Sequence, residues 1–78
     1  MTIAITKTLD VKGLACPIPI VKTTQAMKQL AAGDRIEVLA TDPGSVKDFD
    51  AWSKATANPL VETSQQGGVF RFVLQKKG

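Results

Sequence analysis

Residues 3–32 read IAITKTLDVKGLACPIPIVKTTQAMKQLAA, and a change of period inside this stretch decides the fold. Ile3, Ile5, Leu9 and Val11 alternate with Thr6, Thr8 and Asp10, so a strand is expected over residues 3–11. Lys7 interrupts the apolar side, as at an exposed sheet edge. After a short loop containing Gly13, Pro17 opens a helix expected to end near Ala32. Ile20, Thr24, Met27 and Ala31 recur at steps of three and four, joined by Val21 and Leu30. Lys22, Gln25, Lys28 and Gln29 take the other side, which makes the helix amphipathic. Gly33 stands where a left-handed C-terminal cap is expected.

Beyond this stretch the alternation returns. Ile36, Val38 and Ala40 alternate with Arg35, Glu37 and Thr41, a second strand. Asp42-Pro43 reads as an N-cap followed by proline at the first helical position, and Ser45 with Asp48 offers a variant capping box. Val46, Phe49 and Trp52 define the inner face of a second helix ending near Thr56. Asn58-Pro59 marks a turn, residues 60–65 a third strand, and Gln66-Gly67-Gly68 a hairpin turn. Residues 69–75 form a fourth strand with Phe70, Phe72 and Leu74 on one face. The order β-α-β-α-β-β gives an α+β two-layer sandwich, a mixed four-stranded sheet with two helices on one face. The other face is left to water or a partner. One domain spans residues 1–78.

A chain of 78 residues has a small core and no room for a deep enclosed active site. No stretch approaches the ~18 apolar residues of a membrane span, and residues 1–10 lack the run of a signal peptide. A cytoplasmic protein without membrane association is expected. The net charge of +3 comes from basic residues spread along the chain, which favours acidic partners weakly. It does not form the dense stripe of a nucleic-acid surface, so direct nucleic-acid binding is not expected. The alternation Phe70-Arg71-Phe72 places its phenylalanines toward the core.

The chain has one cysteine and no histidine. It therefore has no internal disulfide, no metal site worth assigning, and none of the Cys–His pairs that usually activate a nucleophile. No cofactor is called for. The distinctive motif is Cys16-Pro17-Ile18-Pro19. Proline at the first helical position puts Cys16 at the N-cap. There its side chain would face the free N–H groups of Ile18 and Ile20 and the positive end of the helix dipole. Both favour a thiolate, and cysteines at helix N-termini have lowered pKa values. Lys12 and Lys22 could add positive charge. A lone cysteine is often just a small buried hydrophobe, but a position between loop and helix suits a reactive thiol better than a core one. Asp10 could orient the loop, although a solvated strand-end carboxylate is the simpler reading. Asp42 would repel an anion at the second helix start, so Asp42-Pro43-Gly44-Ser45 is read as a plain cap, and Trp52 with Phe49 as core packing.

The run from Leu9 to Pro19, LDVKGLACPIP, resembles the signature of the TusA (SirA-like) family of small sulfur carriers, approximately L-D-x-[RK]-G-L-x-C-P-x-P. The likeness continues through Leu30, Gly33, Val38, Asp42-Pro43, Asp48 and Trp52. The stretch from Ala40 to Ala51 looks most like the carriers of sulfur-oxidising organisms. The resemblance implies the same βαβαββ fold, with Cys16 holding sulfane sulfur as a persulfide. Gly13, Pro17, Pro19, Asp10 and Lys12 match motif positions as support. Implied partners are a sulfur donor (a cysteine desulfurase, rhodanese or DsrE-type protein) and a sulfur acceptor, in sulfur oxidation, tRNA 2-thiouridine synthesis or molybdenum-cofactor formation. The chain would then be a sulfurtransferase-type carrier rather than a multiple-turnover enzyme. One departure stands out: many members have a Gly-His pair after the second helix, where this chain has Thr56-Ala57-Asn58-Pro59. The alternative is a non-catalytic regulatory or interaction module of the same fold.

Overall fold

The computed structural model describes residues 5–15 and 18–77. Its elements are β1 (Lys7–Asp10), α1 (Ile18–Met27), β2 (Arg35–Ala40), α2 (Ser45–Thr56), β3 (Leu60–Gln66) and β4 (Val69–Gln75). They form one four-stranded sheet in the order β1-β2-β4-β3. β1 runs parallel to β2, with Leu9 beside Val38, and β4 runs antiparallel to both β2 and β3. The sheet is mixed and the two helices form the second layer, as the alternation of periods predicts.

The parallel pairing reaches past both ends of β1. The Thr6 N–H donates to the Arg35 carbonyl at 2.8 Å and the Val11 N–H to the Leu39 carbonyl at 2.8 Å. Residues 3 and 4 of the expected first strand lie outside the described residues. α1 is shorter than its apolar pattern predicts. It ends at Met27, and the chain continues through tighter turns in which Gln29 and Leu30 donate to the carbonyls of Ala26 and Met27. Gly33 has a positive φ of 88°, but it lies well past the helix, and its N–H donates to the Lys76 carbonyl at 3.0 Å.

The core lies between the sheet and the helices. It contains Val11, Ala26, Met27, Leu30, Ile36, Val38, Ala40, Phe49, Phe72 and Leu74. At its centre Phe49 of α2 stacks on Phe72 of β4, with ring centroids 4.6 Å apart. The inward faces of both helices differ from the sequence expectation. α1 buries Pro19, Thr23, Ala26 and Met27, while Val21 and Ala31 are exposed. α2 buries Ser45, Phe49 and Ser53, while Val46 is exposed. These small side chains are buried without an unpaired polar group, because each hydroxyl finds a nearby carbonyl, that of Ser45 being the Asp42 carbonyl ahead of the helix. Thr23 Oγ1 donates to the Pro19 carbonyl at 2.8 Å and Ser53 Oγ to the Asp50 carbonyl at 2.8 Å. Trp52 seals the edge between the helices, its indole N–H donating to Thr24 Oγ1 at 3.0 Å.

The second helix starts at Ser45, with Gly44 at its N-cap. This corrects the expected caps: neither Asp42-Pro43 nor the Ser45–Asp48 pair caps α2, whose N-cap has no side-chain cap hydrogen bond. Asp42 instead closes the turn ahead of the helix, its Oδ1 accepting the Gly44 N–H at 3.1 Å and its carbonyl the Ser45 N–H at 3.0 Å. α2 ends on Ala57, a non-glycine residue in the left-handed region at φ 59°. That conformation costs an L-residue roughly 1–2 kcal/mol. It falls in the stretch where this chain departs from the Gly-His pattern. The β3–β4 hairpin closes on Gly67 and Gly68, both at positive φ, the two-residue turn whose twist matches the strands.

The outer face of the sheet is polar rather than bare. Val73, fully buried on this side, sits between Glu37 and Glu62 on the neighbouring strands. Arg71 spans the same two carboxylates, bonding Glu37 through Nε and Glu62 through Nη1 at 3.2 Å. The Arg71 hydrogen bond holds the Glu37 carboxyl below the usual carboxylate range, against the opposing effect of burial and with help from the Thr8 hydroxyl. A depressed folded-state pKa stabilises the fold above the unfolded value of ~4.3, and that contribution is lost as pH falls through the folded value. Glu37→Gln is therefore expected to be less stable than the parent near neutral pH, with the difference closing in acid. Urea midpoints at about pH 7 and about pH 3 test this. An equal gap at both values would remove the ion pair as its cause.

Candidate functional site

The site is built on the carboxyl ends of the two parallel strands. β1 delivers the chain into the loop 11–15, β2 delivers it into Thr41–Gly44, and the two loops lie side by side. Ligand sites in α/β sheets favour this end of parallel strands. Together Gly13, Leu14, Ala15, Thr41 and Asp42 line a depression of about 210 Å³.

The first loop is held by a short set of hydrogen bonds. Asp10 Oδ1 accepts the Lys12 N–H at 3.0 Å, closing a local turn. The Leu14 N–H donates to the Val11 carbonyl at 3.2 Å. Gly13 has φ 82° and donates its N–H to Thr41 Oγ1 at 2.9 Å. The Gly13–Thr41 bond ties the loop leading to Cys16 onto the end of β2. Asp10 and Lys12 thus act on each other, with Lys12 Nζ 3.8 Å from Asp10 Oδ2. Pro19 is buried at the foot of α1 and its carbonyl takes the Thr23 hydroxyl.

Cys16 and Pro17 lie outside the described residues, and with them the expected N-cap position of the thiol and the first helical position of the proline. The residues flanking them are described. The Ile18 N–H donates to the Ala15 carbonyl at 2.9 Å, so it is not a free donor of the kind the motif suggests. The first turn of α1 carries no acidic side chain. No carboxylate of that turn opposes the positive end of the helix dipole, which favours an anion nearby.

Gly13 lines the depression, Asp10 and Lys12 close the turn that precedes it, and Pro19 is buried in the first turn of α1. Thr41 was not singled out from the sequence, where it reads only as the polar end of a strand. Its role depends on a partner 28 positions away, which no local pattern signals.

A solved structure of a SirA-like protein from Desulfitobacterium hafniense superposes with a TM-score of 0.82, covering 94% of this chain and all of that one. At 23% identity this likeness shows the fold. The family is shown by sequence: a model described as "Sulfurtransferase TusA" matches residues 7–76. The sulfur carrier protein TusA of Allochromatium vinosum is 47% identical over 68 residues, covering 87% of this chain and 90% of that protein. The putative sulfur carrier protein YrkI of Bacillus subtilis is 49% identical over 70 residues, covering 90% and 93%. The chain belongs to the TusA family of sulfur carrier proteins.

Proposed function

We propose that Cys16 accepts a sulfane sulfur from a donor protein, holds it as a persulfide and passes it to an acceptor protein. The observation that carries this reading is where the only cysteine falls in the chain: directly after a loop tied to β2 and directly before a helix whose first turn lacks carboxylates. The Cys16 thiolate attacks the outer sulfur of a donor persulfide. A bond forms between Sγ and that sulfur, the donor's S–S bond breaks, and its electron pair leaves with the donor thiolate. An acceptor thiolate then repeats the displacement on the Cys16 persulfide. Each step exchanges one S–S bond for another, so neither needs an oxidant, metal or cofactor. With no second cysteine to form a disulfide on the same chain, the sulfur leaves only to another molecule.

Donors of the desulfurase, rhodanese or DsrE type fit this chemistry, and the setting is the cytoplasm. The relay serves either sulfur oxidation or tRNA 2-thiouridine synthesis. Incubation with inorganic polysulfide should add about 32 Da, one sulfur atom, to the intact mass, and dithiothreitol should remove it. Cys16→Ser should show no adduct while keeping the parent's melting temperature. Equal loading of the serine variant would refute the assignment.

A further inference from the structure

The sheet ends in two edge strands, β1 and β3. β1 is four residues long and carries Lys7 and Asp10, a short charged edge of the kind that discourages further pairing. β3 is seven residues long, exposed everywhere after Leu60, and contains neither proline nor lysine. Its one charged side chain, Glu62, already bonds Arg71 of its own sheet at 3.2 Å. The hairpin register determines which backbone groups this edge presents. A two-residue turn is closed by a hydrogen-bonded pair, here Gln66 with Val69, and such pairs alternate along an antiparallel ladder. Gln66, Ser64 and Glu62 therefore direct their N–H and C=O groups at β4. Thr63 and Gln65 direct theirs outward, into the open edge.

We propose that β3 pairs antiparallel with β3 of a second copy of this chain, about a two-fold axis at Ser64, so that the two sheets become one. Only outward-directed groups can bond across the edge, which limits the register. An axis at Ser64 sets Thr63 against Gln65 of the second copy and Gln65 against its Thr63, each pair exchanging both N–H···O bonds. It uses the whole regular stretch between the bulge at Leu60/Glu62 and the turn. An axis at Thr63 runs into the bulge, and one at Gln65 sets Thr63 against Gly67 in the turn. The side chains in the Ser64 register complement one another. On the outer face Glu62 lies opposite Gln66 of the second copy, a carboxylate facing an amide donor, and Ser64 lies opposite Ser64. On the helix side Thr63 lies opposite Gln65. No like charges meet, and the interface is self-complementary, as a two-fold contact must be. β3 is also the edge farthest from β1 in the strand order, so the pairing leaves the depression beside loop 11–15 open in both copies.

An overlap of residues 62–66 buries less than the roughly 1,000 Å² of a stable interface, so the dimer is weak, forming between about 10 µM and about 1 mM. Sedimentation equilibrium over that range, with dithiothreitol holding Cys16 reduced, should show a mass rising from 8.3 kDa toward twice that value. Ser64→Lys sets like charges face to face at the axis and should weaken association about threefold or more. Gln65→Pro removes an outward N–H from each copy without touching the ladder to β4, and should abolish association. In a Cys16→Ser chain, Ser64→Cys should form a disulfide-linked dimer on mild oxidation, since residues opposite each other in a non-hydrogen-bonded pair lie about 4.5 Å apart at Cα. Gln66→Cys, which faces Glu62 and not itself, should cross-link far less. Should Gln65→Pro lose the far-UV circular dichroism of the parent, Ser64→Lys and the cysteine pair decide. A mass of 8.3 kDa at every concentration overturns the pairing and leaves the edge to a foreign extended peptide. So does association indifferent to Ser64→Lys, or equal cross-linking at positions 64 and 66. Polysulfide should load Cys16 alike in the parent and in Ser64→Lys, so failure of the pairing and failure of the relay are read separately.

Discussion

Phe49→Ala is expected to remove most of the stability of this domain. Phe49 is fully buried and stacks on Phe72, the contact that joins α2 to the central strand β4. Truncating a buried phenylalanine costs about 3–5 kcal/mol, because the lost transfer energy is joined by the cavity left behind. Domains have roughly 0.05–0.15 kcal/mol of stability per residue, and for 78 residues that places the total at about 4–12 kcal/mol. The substitution thus removes from about a quarter to all of it. Urea titration followed by Trp52 fluorescence and far-UV circular dichroism should show a midpoint shifted close to zero denaturant. A loss under about 1 kcal/mol would mean that the aromatic pair is not the centre of the core.

The second large effect is expected at Gly13. A Cβ built there meets no atom within 4 Å, so any penalty comes from the backbone and not from crowding. At φ 82° a β-branched residue is strained by about 1–3 kcal/mol. Gly13→Val should lower the melting temperature by about 5–20 °C, since each kcal/mol is worth some 4–8 °C in a domain of this size. To the extent that the loop escapes the strain by changing conformation, the Gly13–Thr41 hydrogen bond breaks and sulfur loading slows instead. Gly13→Asn should recover most of both losses, because asparagine visits the left-handed region at lower cost. Parental melting temperature and loading rate in Gly13→Val would show that neither the positive φ nor the clamp on Thr41 matters to the site.

Strands and hairpin were legible because strand alternation has a period of two and tolerates no ambiguity about sides: Ile36, Val38 and Ala40 could only face one way. The helix faces were less so. Val21 and Val46 look like core residues by hydrophobicity, yet the helices turn Thr23, Ser45 and Ser53 inward. Hydrophobicity alone misreads such a face, since a small hydroxyl residue can be buried once a nearby backbone carbonyl accepts its proton. Val73 was hidden for a related reason. It reads as the solvent side of β4, and only the Arg71–Glu37–Glu62 bridge beside it makes its burial intelligible.

By itself the sequence determined the order of elements, the mixed sheet, and the family to which the motif around Cys16 points, because these depend on local period and on residues adjacent in the chain. It also determined that any thiol chemistry must work without histidine or a second cysteine. Only the tertiary structure decided which side chains the helices bury, that the Ile18 N–H is occupied, and that Thr41 holds the loop leading to Cys16 through Gly13. Those outcomes depend on pairs far apart in sequence, whose hydrogen bonds and packing exist only once β1 and β2 lie side by side.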